Sequence, residues 1–164
     1  MKGLLFAVSA LAAVPFASAH VGGPGACLGP EMAGRAAFEG ATGAQEGGVI
    51  LRNRSGHSCL LSGRATVDFA LRARALPLPV LVTTGPATDG RRRDRMLMLR
   101  PGQHAFLHVR WSNWCGERYE RVAVRVWLMS VEPRVHVRGA ISSPRCDDST
   151  TGSRVAIGPY ERVR

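Results

Sequence analysis

Hydrophobic and polar positions alternate along most of the chain beyond residue 48. Ala105, Leu107, Val109 and Trp111 fall on one face of a segment whose other face is Phe106, His108 and Arg110. Over 121–131, Val122, Val124, Val126 and Leu128 share a face against Ala123, Arg125 and Trp127. A period of two marks a half-buried β-strand. The same alternation groups Ala65, Val67, Phe69 and Leu71, and sets Val135 and Val137 against Arg134, His136 and Arg138. Shorter strands are predicted at 49–53, 58–61, 96–99 and 154–157. The stretch 78–83 is apolar, but Pro77 and Pro79 assign it to a sheet edge. Arg54-Ser55-Gly56-His57 reads as the tight turn of a hairpin, and Arg100-Pro101-Gly102-Gln103 as a second turn. Between His20 and Gly48 the chain is rich in Gly and Ala, and only 35–39 looks strand-like. No window of about 11 residues carries a helical period. Some seven or more short strands, with turn signals every ~8–12 residues, predict an all-β antiparallel β-sandwich.

The first residues change the setting. Met1-Lys2-Gly3 is a short basic start, 4–14 is almost wholly apolar, and Ala17-Ser18-Ala19 supplies the small residues of a cleavage site. Residues 1–19 are read as a secretory signal peptide cut between Ala19 and His20, leaving a secreted or envelope-associated protein. Cys27 follows Pro24-Gly25-Ala26, well past the apolar region, and lacks the Leu-like residue that lipid attachment needs three positions earlier. A flexible segment, 20–26, then leads into one domain, 27–164. The full length of 164 residues and 17.6 kDa suits a single domain. Beyond the leader no apolar run approaches ~18 residues, so no transmembrane segment is expected in the mature chain.

Export also decides how the cysteines are read. Cys27, Cys59, Cys115 and Cys146 are even in number, contain no C-x-x-C pair, and would lie in an oxidising compartment. Three pairings are open. The two intervals, 27 to 59 and 115 to 146, are nearly equal, which favours sequential pairs. Each loop is long enough for roughly 3–4 kcal/mol in the chain-entropy picture.

Several short motifs then align with one family. Asn53-Arg54-Ser55-Gly56-His57-Ser58-Cys59-Leu60-Leu61-Ser62-Gly63 resembles the N-x-S-G-x-x-C-x-L-x-G segment of the domain of unknown function 4232. Leu99-Arg100-Pro101-Gly102 resembles its L-x-P-G turn, followed by a strand ending in a Trp near a cysteine, here Trp111 and Cys115. Pro144-Arg145-Cys146 and Val155-Ala156-Ile157-Gly158-Pro159 resemble its C-terminal end. The resemblance runs over 27–159 and implies an immunoglobulin-like sandwich with paired cysteines, in secreted proteins and lipoproteins, with no established activity. The chain departs from the family in lacking a lipid-attachment motif, and in Gly63-Arg64 where Gly-Tyr-Pro is usual. Apart from any family, Asn and Gly accept the φ > 0 conformations of a tight reversal, and Ser bonds the local backbone. The preferred reading of this motif is a hairpin with a staple. Asn53-Arg54-Ser55 also matches a glycosylation acceptor.

Charge and chemistry narrow the function less than they narrow the compartment. The chain holds 22 basic and 12 acidic residues, a net charge of +10. Lys2 is the only lysine, so the mature protein is basic through arginine alone. A GC-rich genome would produce that bias; so would attraction to anionic partners. An exported protein points away from nucleic acid and toward an anionic envelope polymer or an envelope protein, with the chain itself a monomer. Arg91, Arg92, Arg93 and Arg95 form the densest charge run, either a solvated loop or a landing site whose guanidinium forks match oxyanions. Trp111, Trp114 and Trp127 could stack against sugars, though at least one belongs in the core near a disulfide. Trp114, beside Cys115, is the candidate for the ligand surface.

Enzymatic signals are absent from the reading: there is no G-x-S-x-G, and oxidised cysteines leave no thiol nucleophile. No cofactor is expected. The alternative is copper. His20, once terminal, could chelate through its α-amine and ring, with His57, His104, His108 or His136 as second ligand, making a carrier or an oxidase. His104 and His108 share a strand face but lie ~13 Å apart at ~3.3 Å per residue, too far for one ion. Asp147-Asp148 lacks the spaced carboxylates of a calcium loop and reads as solvated. The function expected is a non-catalytic binding or structural module at the cell envelope.

Overall fold

The computed structural model describes residues 23–63, 65–78, 80–81, 96–128 and 134–163. A short 3-10 turn, Gly29–Glu31, leads into β1 (Met32–Ala41), followed by β2 (Ala44–Asn53), β3 (Cys59–Leu61), β4 (Thr66–Leu71), β5 (Arg74–Ala75) and β6 (Val80–Leu81). Next come β7 (Leu97–Leu99), β8 (His104–Ser112), β9 (Val122–Trp127), β10 (His136–Arg138), β11 (Ala140–Ile141) and β12 (Arg154–Arg162). Among the described residues, no helix is long and apolar enough to cross a membrane. The strands form a six-stranded sheet in the order β10-β1-β2-β8-β12-β6, a four-stranded sheet β11-β9-β4-β5, and the pair β3-β7. The chain is all-β, and its sheets pack as a sandwich.

The alternating segments become strands as their pattern requires. Ala105, Leu107, Val109 and Trp111 of β8 and Val122, Val124 and Val126 of β9 are all buried. Phe69 of β4 stacks on Trp111 across the sandwich, ring centroids 4.7 Å apart and planes at 22°, which joins the two larger sheets. Both rings have 0% exposure, and truncating either would cost about 3–5 kcal/mol. The Trp111 indole donates to Ser153 Oγ at 2.9 Å, so its one polar atom is satisfied.

β1 is twice the length expected. Its Ala- and Gly-rich sequence has little strand preference of its own. Its pairing with β2 makes it extended, running from Met32↔Asn53 to Ala41↔Ala44. Close approach explains the glycines opposite it. Gly47 has φ +142, and a Cβ there would lie 2.1 Å from the Ala37 carbonyl oxygen. At Gly48 a Cβ would lie 1.9 Å from the Leu107 oxygen.

The turn at 54–57 does not close a hairpin. β2 lies between β1 and β8, whereas β3 pairs with β7. The reversal therefore carries the chain out of one sheet and into another. The physical reason is Asn53, whose buried amide bonds to Leu99 O on β7 at 3.1 Å. Among the described strands β1 pairs with β10, and β12 with β6, in parallel rather than antiparallel fashion, and β6 sits at the edge that Pro77 and Pro79 before it predict. The last strand reaches Arg162 because a bulge between Ile157 and Tyr160 absorbs Gly158-Pro159.

Both disulfides are the sequential pairs, Cys27–Cys59 and Cys115–Cys146. The first is buried and holds the entering segment to β3, where Cys27 N donates to Leu60 O at 2.9 Å. The end of the 20–26 segment is tied down as well, Leu60 N donating to Gly25 O at 2.8 Å. The second disulfide is exposed and joins the loops that follow β8 and β11.

Candidate binding surfaces

Arg91, Arg92, Arg93 and Arg95 lie outside the described residues, as do His20 and residues 1–19. Trp114 is described and sits where expected, on the loop after β8. Its ring stands edge-on to Trp111, with centroids 5.7 Å apart, and 6.1 Å from Tyr119. Its indole donates to Glu117 O at 2.6 Å. Phe69, Trp111, Trp114 and Tyr119 thus form one aromatic column rising from the core to a half-exposed end. Trp127 belongs elsewhere, on the outer face of the four-stranded sheet, so the three tryptophans share no surface.

The loops around Trp114 are organised by Asn113, held at φ +56. Its side-chain nitrogen donates to Asp148 O and Thr151 O, at 2.7 and 2.5 Å, and its oxygen accepts from the amides of Asp147 and Asp148. Asp148 accepts from the Thr150 hydroxyl and amide and from the Thr151 hydroxyl, and these bonds hold its carboxyl down at about 2. That carboxylate is committed to its own loop. Among the described residues, no three His, Cys, Asp or Glu side chains are grouped to hold a metal.

The N-x-S-G motif builds a rigid corner. Asn53 donates to His57 O at 2.8 Å and to Leu99 O, and accepts from the Ser55 amide and hydroxyl at 2.9 and 2.7 Å. With 0% exposure and both amide hydrogens engaged, Asn53 is no glycosylation acceptor. A shallow groove of about 330 Å³ runs between Pro30, Glu31, Arg54, Ser55, Gly56 and His57. In it His57 Nε2 lies 3.5 Å from Glu31 Oε2, long for a hydrogen bond, and that oxygen has no other partner among the described residues.

The outer faces of the two larger sheets differ in kind. On the four-stranded sheet, Asp68 and Arg125 are register partners on β4 and β9. Arg125 Nε and Nη2 donate to the two carboxylate oxygens at 2.5 and 2.6 Å, and Nη1 to Ala73 O at 3.2 Å. The guanidinium also lies over Trp127, 5.6 Å from its centroid.

On the six-stranded sheet a single register line crosses five strands. It runs Arg138 (β10), Arg35 (β1), Ile50 (β2), Phe106 (β8) and Glu161 (β12). Beside it lies a second line, His136, Ala33, Arg52 and His104. Arg35, Arg52 and Arg138 are exposed, Ile50 and Phe106 half-buried. Glu161 is held by His108 at 3.0 Å and Glu46 by Arg110 at 3.2 Å. Among the described residues, no carboxylate reaches Arg35, Arg52 or Arg138. The sequence sets Arg138 opposite Val135 and Val137 but assigns no face to Arg35 or Arg52, and neighbourhood across β10 and β1 needs a parallel pairing between segments some hundred residues apart.

The family model "Domain of unknown function (DUF4232)" matches residues 27–160, and the chain belongs to that family. No curated protein and no solved structure matches it.

Proposed function

We propose that this member of the family is an exported, non-catalytic binding module that holds an anionic partner at the cell envelope. The observation that carries the reading is the outer face of the six-stranded sheet. Three arginines stand there with no carboxylate among the described residues, two of them directly opposite one another. Like charges in register destabilise a sheet, and an oxyanion placed between them relieves the repulsion. The net charge, +10 for the whole chain and +9 once Lys2 leaves with the leader, adds long-range attraction to any polyanionic surface. The paired cysteines and the leader read over 1–19 suit the oxidising side of a membrane.

The test is sedimentation of the purified mature protein with isolated cell envelopes at low and then high salt. Binding at low salt, lost near about 1 M where screening acts over only ~3 Å, is the expected result. Exchange of Arg35, Arg52 and Arg138 for glutamine should weaken it. A protein that stays in the supernatant at every salt concentration overturns the reading.

A further inference from the structure

The line across the six-stranded sheet is unsymmetrical, and its order carries chemical information. From β10 to β12 it reads cation, cation, aliphatic, aromatic, anion: Arg138, Arg35, Ile50, Phe106, Glu161. At about 4.8 Å per strand it is roughly 19 Å long, with Arg35 about 10 Å and Arg138 about 14 Å from the position of the phenyl ring. Phe106 rests on Gly48, where a Cβ would come within 3.1 Å of the ring tip. The edge of His108 closes its flank at 4.6 Å and 87°. The ring is therefore fixed in place, with Ala37 and Gly48 forming a low floor beside it.

A bare string of phosphates fits only half of this line. Its charges suit Arg138 and Arg35 but would meet apolar surface at Ile50 and Phe106, and then Glu161. A uniformly neutral glycan would leave the two arginines unused. We infer that the face binds a phosphorylated sugar unit of an envelope polymer, its phosphate on Arg35 with the Arg138 side chain reaching in from the next strand, and the carbon face of its ring over Ile50 against Phe106. The inference rests on the anionic-partner reading and specifies its ligand. Glutamate at the far end repels a second phosphate and sets the direction in which the unit lies. Arg52, on the neighbouring line, is placed to take the next phosphate along the polymer.

Titration of the mature protein with three probes, followed by calorimetry, tests this: phosphodextran, inorganic polyphosphate and unmodified dextran. At equal phosphate, phosphodextran should bind more tightly than polyphosphate, and dextran should not bind. Phe106→Ala should weaken phosphodextran about five- to tenfold and polyphosphate less than twofold. Phe106→Tyr keeps the ring and should restore phosphodextran binding, which separates a lost contact from a damaged fold. Arg35→Gln with Arg138→Gln should weaken both anionic probes. If both anions bind equally and Phe106→Ala changes neither, the sugar inference falls while the anionic reading stands. If neither anion binds the unaltered protein, both fall. Dextran binding that the arginine exchanges leave unchanged also overturns the inference.

Discussion

Arginine occupies outward positions on both larger sheets, with opposite consequences. On the four-stranded sheet Arg125 faces Asp68 in register, meets it through two parallel bonds, and turns its third nitrogen to Ala73 O and its flat face to Trp127. The Asp68 hydrogen bond pushes the guanidinium pKa up further. That face is closed by its own chemistry. On the six-stranded sheet Arg35 faces Arg138, and neither meets an acid among the described residues. What separates a structural arginine from one available to a ligand is the residue directly across the ladder.

Of the exchanges on the two outer faces, breaking the closed one gives the largest expected effect. Asp68→Ala leaves a partly buried guanidinium without its carboxylate and should cost about 2–3 kcal/mol, read by urea unfolding. Envelope sedimentation by the same variant should be unchanged. A loss under about 0.5 kcal/mol would mean that Asp68 and Arg125 are no more than an exposed surface pair.

The next effect sharpens the contrast from inside the open sheet. The alternation that turns Glu161 outward turns its neighbour Tyr160 toward the core, where its hydroxyl is buried without a partner among the described residues. Burial pushes the phenol up to about 12. A pKa raised in the folded state means stability intact below the ordinary value near 10 and lost as pH climbs through 12. At pH 11 the loss should be about 1 kcal/mol. Thermal unfolding at pH 8 and pH 11 checks it. Tyr160→Phe should remove most of the alkaline loss and change stability at pH 8 little, since no hydrogen bond is given up.

Legibility in the sequence follows the same division between what one strand decides and what two decide together. β8 and β9 are legible because a single buried face imposes strict alternation from Ala105 to Trp111 and from Val122 to Val126. β1 is legible only in its middle, 35–39, because Ala33, Gly34, Gly40 and Ala41 at its two ends carry no preference until β2 pairs with them. The Asn53 turn is visible as a turn, but a reversal within one sheet and a crossing into another use the same local bonds. Only the Leu99 contact distinguishes them. The cysteine pairs are legible from even spacing. Trp114 is legible as a loop residue beside Cys115, but not as the end of a column begun by Phe69. The open face is the least legible feature, since Arg35 and Arg138 become neighbours only through β10 lying parallel to β1.

The smallest effect on stability is also the most discriminating. Arg138→Glu gives Arg35 the kind of partner that Arg125 already has, converting the open line into a copy of the closed one. Opposite charges across a ladder contribute a few tenths of a kcal/mol, and removing a like-charge pair adds a comparable amount. The variant should therefore be more stable by about 0.5 kcal/mol in urea unfolding at low salt, with the gain fading as salt rises. Its binding to envelopes should fall well below that of Arg138→Gln, because the new carboxylate both repels the ligand and occupies Arg35. Stability and binding then move in opposite directions, as expected where a destabilising pair is kept for a ligand. If Arg138→Glu leaves binding intact, Arg35 and Arg138 are two solvated side chains, and the anionic partner must be held elsewhere on the molecule.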